Sequence, residues 1–474
     1  MDLIRRFLFI SGLLAIVFAG GTILHFIHHP GVPLDTSGYA LDFRVIYCGA
    51  EAERQGHDPY LVEPLRTCEH RIGREYGEPD WAVTPLPLPS YAIAAVVPLT
   101  LLPFGAAKIA WIALLLLSLA LTAASLAAIL RKPTLAVFLV LAPTVGLLNA
   151  IYGEPVPIAI GLLALAAYLL ERDRPVWAAL VAALATIEPH VALPALVALA
   201  ILVPRARVGL VIGLALVAVF GVLTFGFARN IEYFTALLPA QARAELIVSD
   251  QYSLSHQLHL LGMSDGIATW IGSLSYLLAM AVGIVLARRL APAFERPGLV
   301  PLLPVATAMF GGSYIHDVQI ASALPAAILL AAGSSWPARI AIALLVVRWN
   351  QSVRAELLPV FAAAAGTAFV GFARDEVRER LAWFVFAPLL ALALLAVMPR
   401  MTPLSHVTQG APPIAIRDDD PSSLAWDWRV RLTPDWANVT LRREVEDIPT
   451  WLGLVLLFFV RPPRTNPFRI IPLH

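Results

Sequence analysis

Apolar positions in this chain fall in long unbroken runs rather than in alternation, a pattern that predicts buried helices and no half-exposed strands. The first run is Phe7 to Ile27, with Arg5 and Arg6 just ahead of it. Further runs cover 105–130, 135–150, 155–171, 174–190, 191–203, 208–228, 267–288, 299–314, 317–333, 337–350, 358–374 and 381–399. A straight helix needs ~20 apolar residues to cross a bilayer. Several runs are shorter, which fits a bundle of broken helices around an internal cavity. Trp81 to Phe104 is also apolar, but Pro85, Pro87, Pro89, Pro98 and Pro103 interrupt it. Proline removes a backbone donor and clashes with the preceding turn, so this stretch reads as a re-entrant or interfacial piece. In total the pattern predicts about 11–13 transmembrane helices.

Two polar stretches frame the runs. Residues 28–90 form a first loop that carries most of the charge of the first third. Residues 401–446 form a polar tail containing Arg417-Asp418-Asp419-Asp420, Trp426 and Trp428. Beyond it, Trp451 to Val460 is too short to span and precedes Arg461-Pro462-Pro463-Arg464, so it reads as an interfacial helix. The chain thus divides into a helical bundle over 1–400 and a tail over 401–474.

Loop charge orients the bundle. Arg131-Lys132, Glu171-Arg172-Asp173-Arg174, Arg205 with Arg207, Arg288-Arg289, Arg339 and 374–380 all fall on the side of Arg5 and Arg6. Cytoplasmic loops carry such an excess of Lys and Arg. The first loop, 149–157, 188–190, 229–265, 313–317, 349–356 and the tail then face the other way. That side holds the exceptions Arg229, Arg243, Arg348 and Arg354.

Composition sharpens the picture. Of 474 residues, 59% are hydrophobic and 14% charged, against about 25% charged in a soluble domain. Only lipid tolerates so little charge, and lipid requires every backbone polar group to be paired internally. The fold class is therefore an all-α polytopic membrane protein, with membrane lipids as its surroundings. A net charge of +1 leaves no footprint for nucleic acid. The two cysteines, Cys48 and Cys68, both lie in the first loop. They can pair if it faces an oxidising compartment; two free thiols are the other reading. No CxxC or His-rich metal spacing occurs.

Ionisable residues at membrane depth are rare and usually face a cavity. Here they gather on one side, each at a helix break: Asp42 and Asp58, Glu154 before Pro155, Glu188-Pro189-His190, His256 and His259, and His316-Asp317. Each also has a bland reading. Asp58-Pro59-Tyr60 is a good turn. Asp42 can cap a helix, Glu188 and His190 can bond each other at a kink, and His256 or His259 can be a satisfied core residue. Their convergence on one face points instead to a site.

The order of these motifs resembles glycosyltransferase family 87, of the GT-C class of integral membrane enzymes. It runs from the early-loop Asp42 through Gly56-His57-Asp58-Pro59-Tyr60, Thr84-Pro85-Leu86-Pro87-Leu88-Pro89-Ser90 and Leu147-Leu148-Asn149-Ala150-Ile151-Tyr152-Gly153-Glu154. Then come Ala185-Thr186-Ile187-Glu188-Pro189-His190, Asp250-Gln251-Tyr252-Ser253-Leu254-Ser255 and Ser313-Tyr314-Ile315-His316-Asp317. The resemblance covers roughly residues 1–400 and leaves out the tail. It implies a GT-C-like bundle with an extracytoplasmic first loop, in the cytoplasmic membrane of a bacterium. Asp42 matches the general base, Gly56, Asp58, Pro59 and Tyr60 the first-loop motif, and His316 a late-loop histidine facing the donor. Glu154 stands where the family often has Gln, and Glu188 where a frequent Lys plausibly meets the donor phosphate. A carboxylate there would repel phosphate, so His190 with Arg44, Arg229, Arg243, Arg348 or Arg354 must supply the positive charge, or the substrate differs.

The implied reaction is inverting transfer of one mannose- or arabinose-like sugar from a polyprenyl-phosphate donor to a lipid or glycan acceptor. Asp42 would be the base, and Arg44, Asp58, Tyr60, Glu154, Glu188, His190, His256, His316 and Asp317 would contact donor or acceptor. No cofactor beyond the donor and no metal is expected; the first loop contains no Asp-x-Asp motif. A lipid or sugar transporter is the alternative, although transporters favour internal repeats and midplane sites. A catalytically silent scaffold is a third reading.

Overall fold

A computed structural model of the chain describes residues 2–28, 40, 42–73, 79–86, 88–248, 251–332, 336–346, single positions and short pieces between 363 and 389, 411–433 and 441–461. Its regular secondary structure is helical. Two isolated bridges, Leu61 with Pro421 and Gln251 with His316, are its sheet-like contacts. In order the helices are α1 (Asp2–His28), α2 (Phe43–Arg54), α3 (Val62–Ile72), α4 (Ser90–Val96), α5 (Phe104–Leu130), α6 (Thr134–Leu141), α7 (Asn149–Tyr152), α8 (Val156–Glu171), α9 (Pro175–Leu184) and α10 (Pro189–Leu202). They continue as α11 (Arg207–Glu232), α12 (Leu238–Ala244), α13 (Leu254–Leu260), α14 (Asp265–Ala293), α15 (Leu299–Ala308), α16 (Asp317–Ile320), α17 (Leu324–Ala332), α18 (Trp336–Val346), α19 (Ser422–Leu432) and α20 (Leu441–Phe458).

Among the described residues three helices are long and apolar enough to cross a membrane: Phe104–Leu130, the run Pro204–Ile247, and Asp265–Ala293. Shorter apolar helices fill the space between them. The chain is an all-α membrane protein. Val211, Leu223 and Phe227 on α11, and Trp270 and Leu278 on α14, are exposed, as befits faces whose solvent is acyl chain. Inside, alanines line α5, α8 and α9, and small residues let membrane helices approach closely. At Gly209 of α11 a Cβ would lie 2.2 Å from the Val176 carbonyl oxygen.

The helix ends are sorted by charge. The Trp111 indole donates to Gly153 O at 2.7 Å, and Gly161 abuts Ser118. Helices α5 and α8 therefore run side by side in the same direction. At their C-terminal end, Arg6 donates to Lys132 O at 2.8 Å. Glu171 accepts from Gly298 N at 3.0 Å and faces Arg296 at 3.9 Å, and Arg205 meets Asp173 at 3.5 Å. The other end carries the first loop and the breaks at Glu154, Glu188 and His316.

The first loop folds as α2 and α3, joined by a Cys48–Cys68 disulfide. Phe43 plants α2 on the bundle, its ring stacked on Trp111 at 5.2 Å and Phe104 at 6.0 Å between centroids. The proline-rich stretch runs without regular structure to Pro89, then as α4 and a tight turn ending at Leu101. Near its end α11 bends: Gly226 adopts φ +78°, a conformation costly for any residue with a Cβ. The Asn230 side-chain amide donates to the freed carbonyls of Gly221 and Gly226 at 2.9 and 2.8 Å. Beyond the bend the chain carries Arg229, Tyr233 and Gln241 past the first loop.

The tail does not stand apart. Val62 N donates to Asp420 O at 2.9 Å, Glu63 N to Asp418 O at 3.0 Å, and Ser422 N to Tyr60 O at 2.9 Å. The 451–460 segment, expected at an interface, is the second half of α20. Its Leu454 and Leu457 are fully buried, and Trp451 and Phe458 pack edge-on against Phe310.

Candidate active site

Backbone hydrogen bonds place Asp42. Ala40 N donates to Ala150 O at 2.8 Å and Asp42 N to Tyr152 O at 2.7 Å, which lays the loop along α7. The next residue, Gly153, has φ +84° and lies so close that a Cβ would come within 2.6 Å of Ala40 Cα. Glycine is therefore required there twice over. Asp42 precedes α2 but makes no side-chain capping bond to it, and its side chain is half-buried. The same turn places Glu154 two residues beyond Tyr152.

Around Glu154 the breaks in the bundle converge. Pro189 at the first turn of α10 leaves Glu188 outside the helix at φ −116°, ψ 87°, buried, with Oε2 3.7 Å from His190 Nε2. His316 stands where Gln251 bridges to it, its Nε2 3.2 Å from Gln251 Nε2 and 3.4 Å from Glu245 Oε2. The His316 backbone N–H donates to Gln319 Oε1 at 2.5 Å, and the Tyr314 ring lies edge-on at 4.9 Å.

The electrostatics follow from burial and like charge. Burial raises the Glu154 carboxyl to about 7, with His316 opposing and Glu245 and Asp317 adding to the rise. Burial, then the charge of Glu154, raises Glu188 well above the ordinary carboxylate range, again against His316. For His316, burial pushes the imidazole down. The hydrogen bond and charge of Glu245, with Glu154 and Asp317, overcome it and raise the group to about 9. The surroundings thus favour the imidazolium at His316 and the neutral carboxyl at Glu188. A carboxyl held toward its neutral form repels an anion less than a carboxylate does, which eases the conflict posed by Glu in place of Lys.

The other sequence-selected residues take different places. Arg44 is buried in the first loop, facing Glu69 at 3.3 Å and donating to Gly73 O at 3.1 Å. Asp58 accepts from Tyr60 N at 3.0 Å, as its turn sequence suggests, and faces Arg229 at 3.5 Å. Tyr60 is buried against Tyr233 and donates its hydroxyl to Leu88 O at 2.9 Å. His256 Nδ1 lies 2.6 Å from Leu246 O, which puts its proton on Nδ1 and braces the turn after α12. His259 meets Asp265 at 3.0 Å. Arg243 is exposed, with its Nε on Pro239 O; Arg348 and Arg354 lie outside the described residues. Among the described residues no group of three or more His, Cys, Asp or Glu is arranged to hold a metal ion.

Sequence reasoning missed Glu245. It is 3% exposed and accepts at Oε1 from Gln241 Nε2 at 2.9 Å and Trp426 Nε1 at 2.5 Å. Its one legible signal is a carboxylate on the side where the other acids gather.

A sequence model of glycosyltransferase family 87 matches residues 89–315. That stretch is a glycosyltransferase family 87 domain. Comparison with curated proteins and with solved structures gave no match. The family 87 domain contains Glu154, Glu188, His190, Glu245 and His256, and it ends one residue before His316. Asp42 and α19 lie outside it. Family and apolar helices together support a membrane glycosyltransferase, which uses a sugar donor and an acceptor.

Proposed function

We propose that this protein transfers one sugar, mannose- or arabinose-like, from a polyprenyl-phosphate donor to a lipid or glycan hydroxyl on the outer face of a bacterial cytoplasmic membrane. The observation that carries the reading is the ladder from Ala40 and Asp42 to α7. It fixes the Asp42 backbone beside the turn that bears Glu154, whose charge is coupled to His316. A base and a cation at one helix end are what an inverting transfer from a phosphate requires.

In this reading Asp42 takes the proton of the acceptor hydroxyl as its oxygen attacks the anomeric carbon. The bond from that carbon to the phosphate oxygen breaks on the opposite side, and the phosphate leaves with the electron pair. An inverting glycosidase needs a second carboxyl to protonate an alkoxide leaving group. A phosphate leaves more readily, and a charge-assisted bond from the His316 imidazolium stabilises the charge that develops on it. Glu188, pushed toward its neutral form by burial, adds little negative charge beside it. The Cys48–Cys68 disulfide supports an outward-facing loop, since such bonds persist in oxidising compartments.

The test is Asp42→Asn in purified protein given radiolabelled polyprenyl-phosphate sugars and a lipid extract. Transfer should vanish while expression and thermal stability stay intact. Wild-type turnover in the variant would remove Asp42 from the role. Movement of label without a new covalent product would favour the transporter reading instead.

A further inference from the structure

Helix α19 lies outside the family 87 domain, in the tail that composition sets apart. Yet it reaches the acidic–histidine cluster. Its entry is fixed by the pairing of 418–422 with 60–63 and by an ion pair from Arg66 to Asp418 at 2.5 Å. Buried Arg429 donates to Thr84 Oγ1 at 3.0 Å and sets its guanidinium 5.2 Å from the Trp426 ring. So placed, the Trp426 indole N–H points at Glu245.

We infer that α19 is part of the transferase site, with Trp426 a positioning residue that fixes Glu245 against His316. The inference rests on the reading above that His316 meets the donor phosphate. Glu245 is a buried carboxylate, which must be paired or hydrogen-bonded to persist as a charge. Both donors, Trp426 and Gln241, converge on Oε1. That fixes the carboxylate plane and leaves Oε2 directed at His316 Nε2. A tryptophan that merely packed α19 onto the bundle would not need its N–H there; a phenyl ring would serve.

The groups that face His316 are Glu245 from the turn after α12, Glu154 from the α7–α8 turn, Glu188 and His190 from the α9–α10 break, and Asp317 and Tyr314 from its own segment. Of these, Glu245 faces the ring with Oε2 3.4 Å from Nε2. The imidazolium is present below the raised value and lost as pH rises through it, so the alkaline limb of activity reports how well Glu245 is held.

The experiment measures kcat/KM against pH for the full-length protein in nanodiscs, with a polyprenyl-phosphate sugar as donor. The wild type should lose activity on a limb near pH 9. Trp426→Phe removes a hydrogen bond to a charged group and should move that limb down by about one unit. Its rate would then be near wild type at pH 6 and roughly tenfold lower above the limb. Should Trp426→Phe fold poorly, benzothienylalanine at 426 exchanges the N–H for sulfur at nearly the same shape and should give the same shift. A limb that stays in place, or a loss equal at every pH, would overturn the inference. His316→Ala separates the two levels. If it keeps wild-type rate and profile, the reading of the site falls. If it loses transfer while the Trp426 variants keep the wild-type limb, the role of Trp426 falls alone.

Discussion

Gly153→Ala tests whether the first loop is held where the chemistry needs it. Two costs fall on this one substitution. A left-handed backbone is disfavoured by about 1–2 kcal/mol for any residue with a Cβ, and Gly153 sits at φ +84°. The added methyl would also stand 2.6 Å from Ala40 Cα, so backbone must retreat by about 0.8 Å to reach the 3.4 Å of an ordinary contact. Ala40 and Asp42 are tied to Ala150 and Tyr152 on either side of that contact. The retreat therefore passes to Asp42 rather than dissipating in a flexible end. A misplacement of about 1 Å in a reacting group can cost 10²-fold in rate, so kcat should fall by about 10- to 100-fold, with a loss of only a few degrees in Tm. Initial rates with a radiolabelled polyprenyl-phosphate sugar, and thermal unfolding of the same preparation, read both quantities. Gly262→Ala is the control: it has the same sign of φ, +89°, and nothing within 4 Å of the new Cβ. It should lose stability alone. Wild-type kcat in Gly153→Ala, or an equal rate loss in Gly262→Ala, would refute the argument.

Two further outcomes follow from the same geometry. Between the ordinary value of 4.5 and its raised value, Glu188 binds its proton more tightly in the native state than in the unfolded chain, so this group makes stability fall as pH climbs. Glu188→Gln, neutral throughout, should raise Tm at pH 8 more than at pH 5; a difference flat across that range would contradict the assignment. Removing the Cys48–Cys68 bridge opens a loop with a sequence separation of 20, worth about 3 kcal/mol in chain-entropy terms. Cys48→Ser with Cys68→Ser should lower Tm and speed proteolysis of the first loop, and an unchanged Tm in reductant would count against it.

The bundle was legible because lipid leaves few choices: unbroken apolar runs must be helices, and the break at Glu188-Pro189 is where α10 begins. The candidate site was half legible. Acids and histidines at helix breaks drew attention to Glu154, Glu188 and His316, whose charges the fold brings within reach of one another. What local pattern cannot give is the partner. Arg44, two residues from Asp42, read as a donor-binding cation, but Glu69, brought back on α3, holds it. Glu245 sits in Gln241-Ala242-Arg243-Ala244-Glu245, an ordinary amphipathic turn in sequence. Its importance comes from His316 and Trp426, which only the fold brings near. The change of composition at 401 read as a separate tail, because the hydrogen bonds that a loop near residue 60 donates to the Asp418 and Asp420 carbonyls leave no trace in either stretch.

The docking of that tail has a consequence for biosynthesis. Tyr60 and Ser422 are bonded across 362 positions of chain, which at 5–20 residues per second takes a ribosome roughly 20–70 s to cover. The early helices enter the bilayer well before the segment that closes the first loop exists. A nascent protein therefore carries Asp42 and His316 before it has the segment that pairs with residues 60–63. Closure of the first loop by residues 418–422 is thus a late event of synthesis.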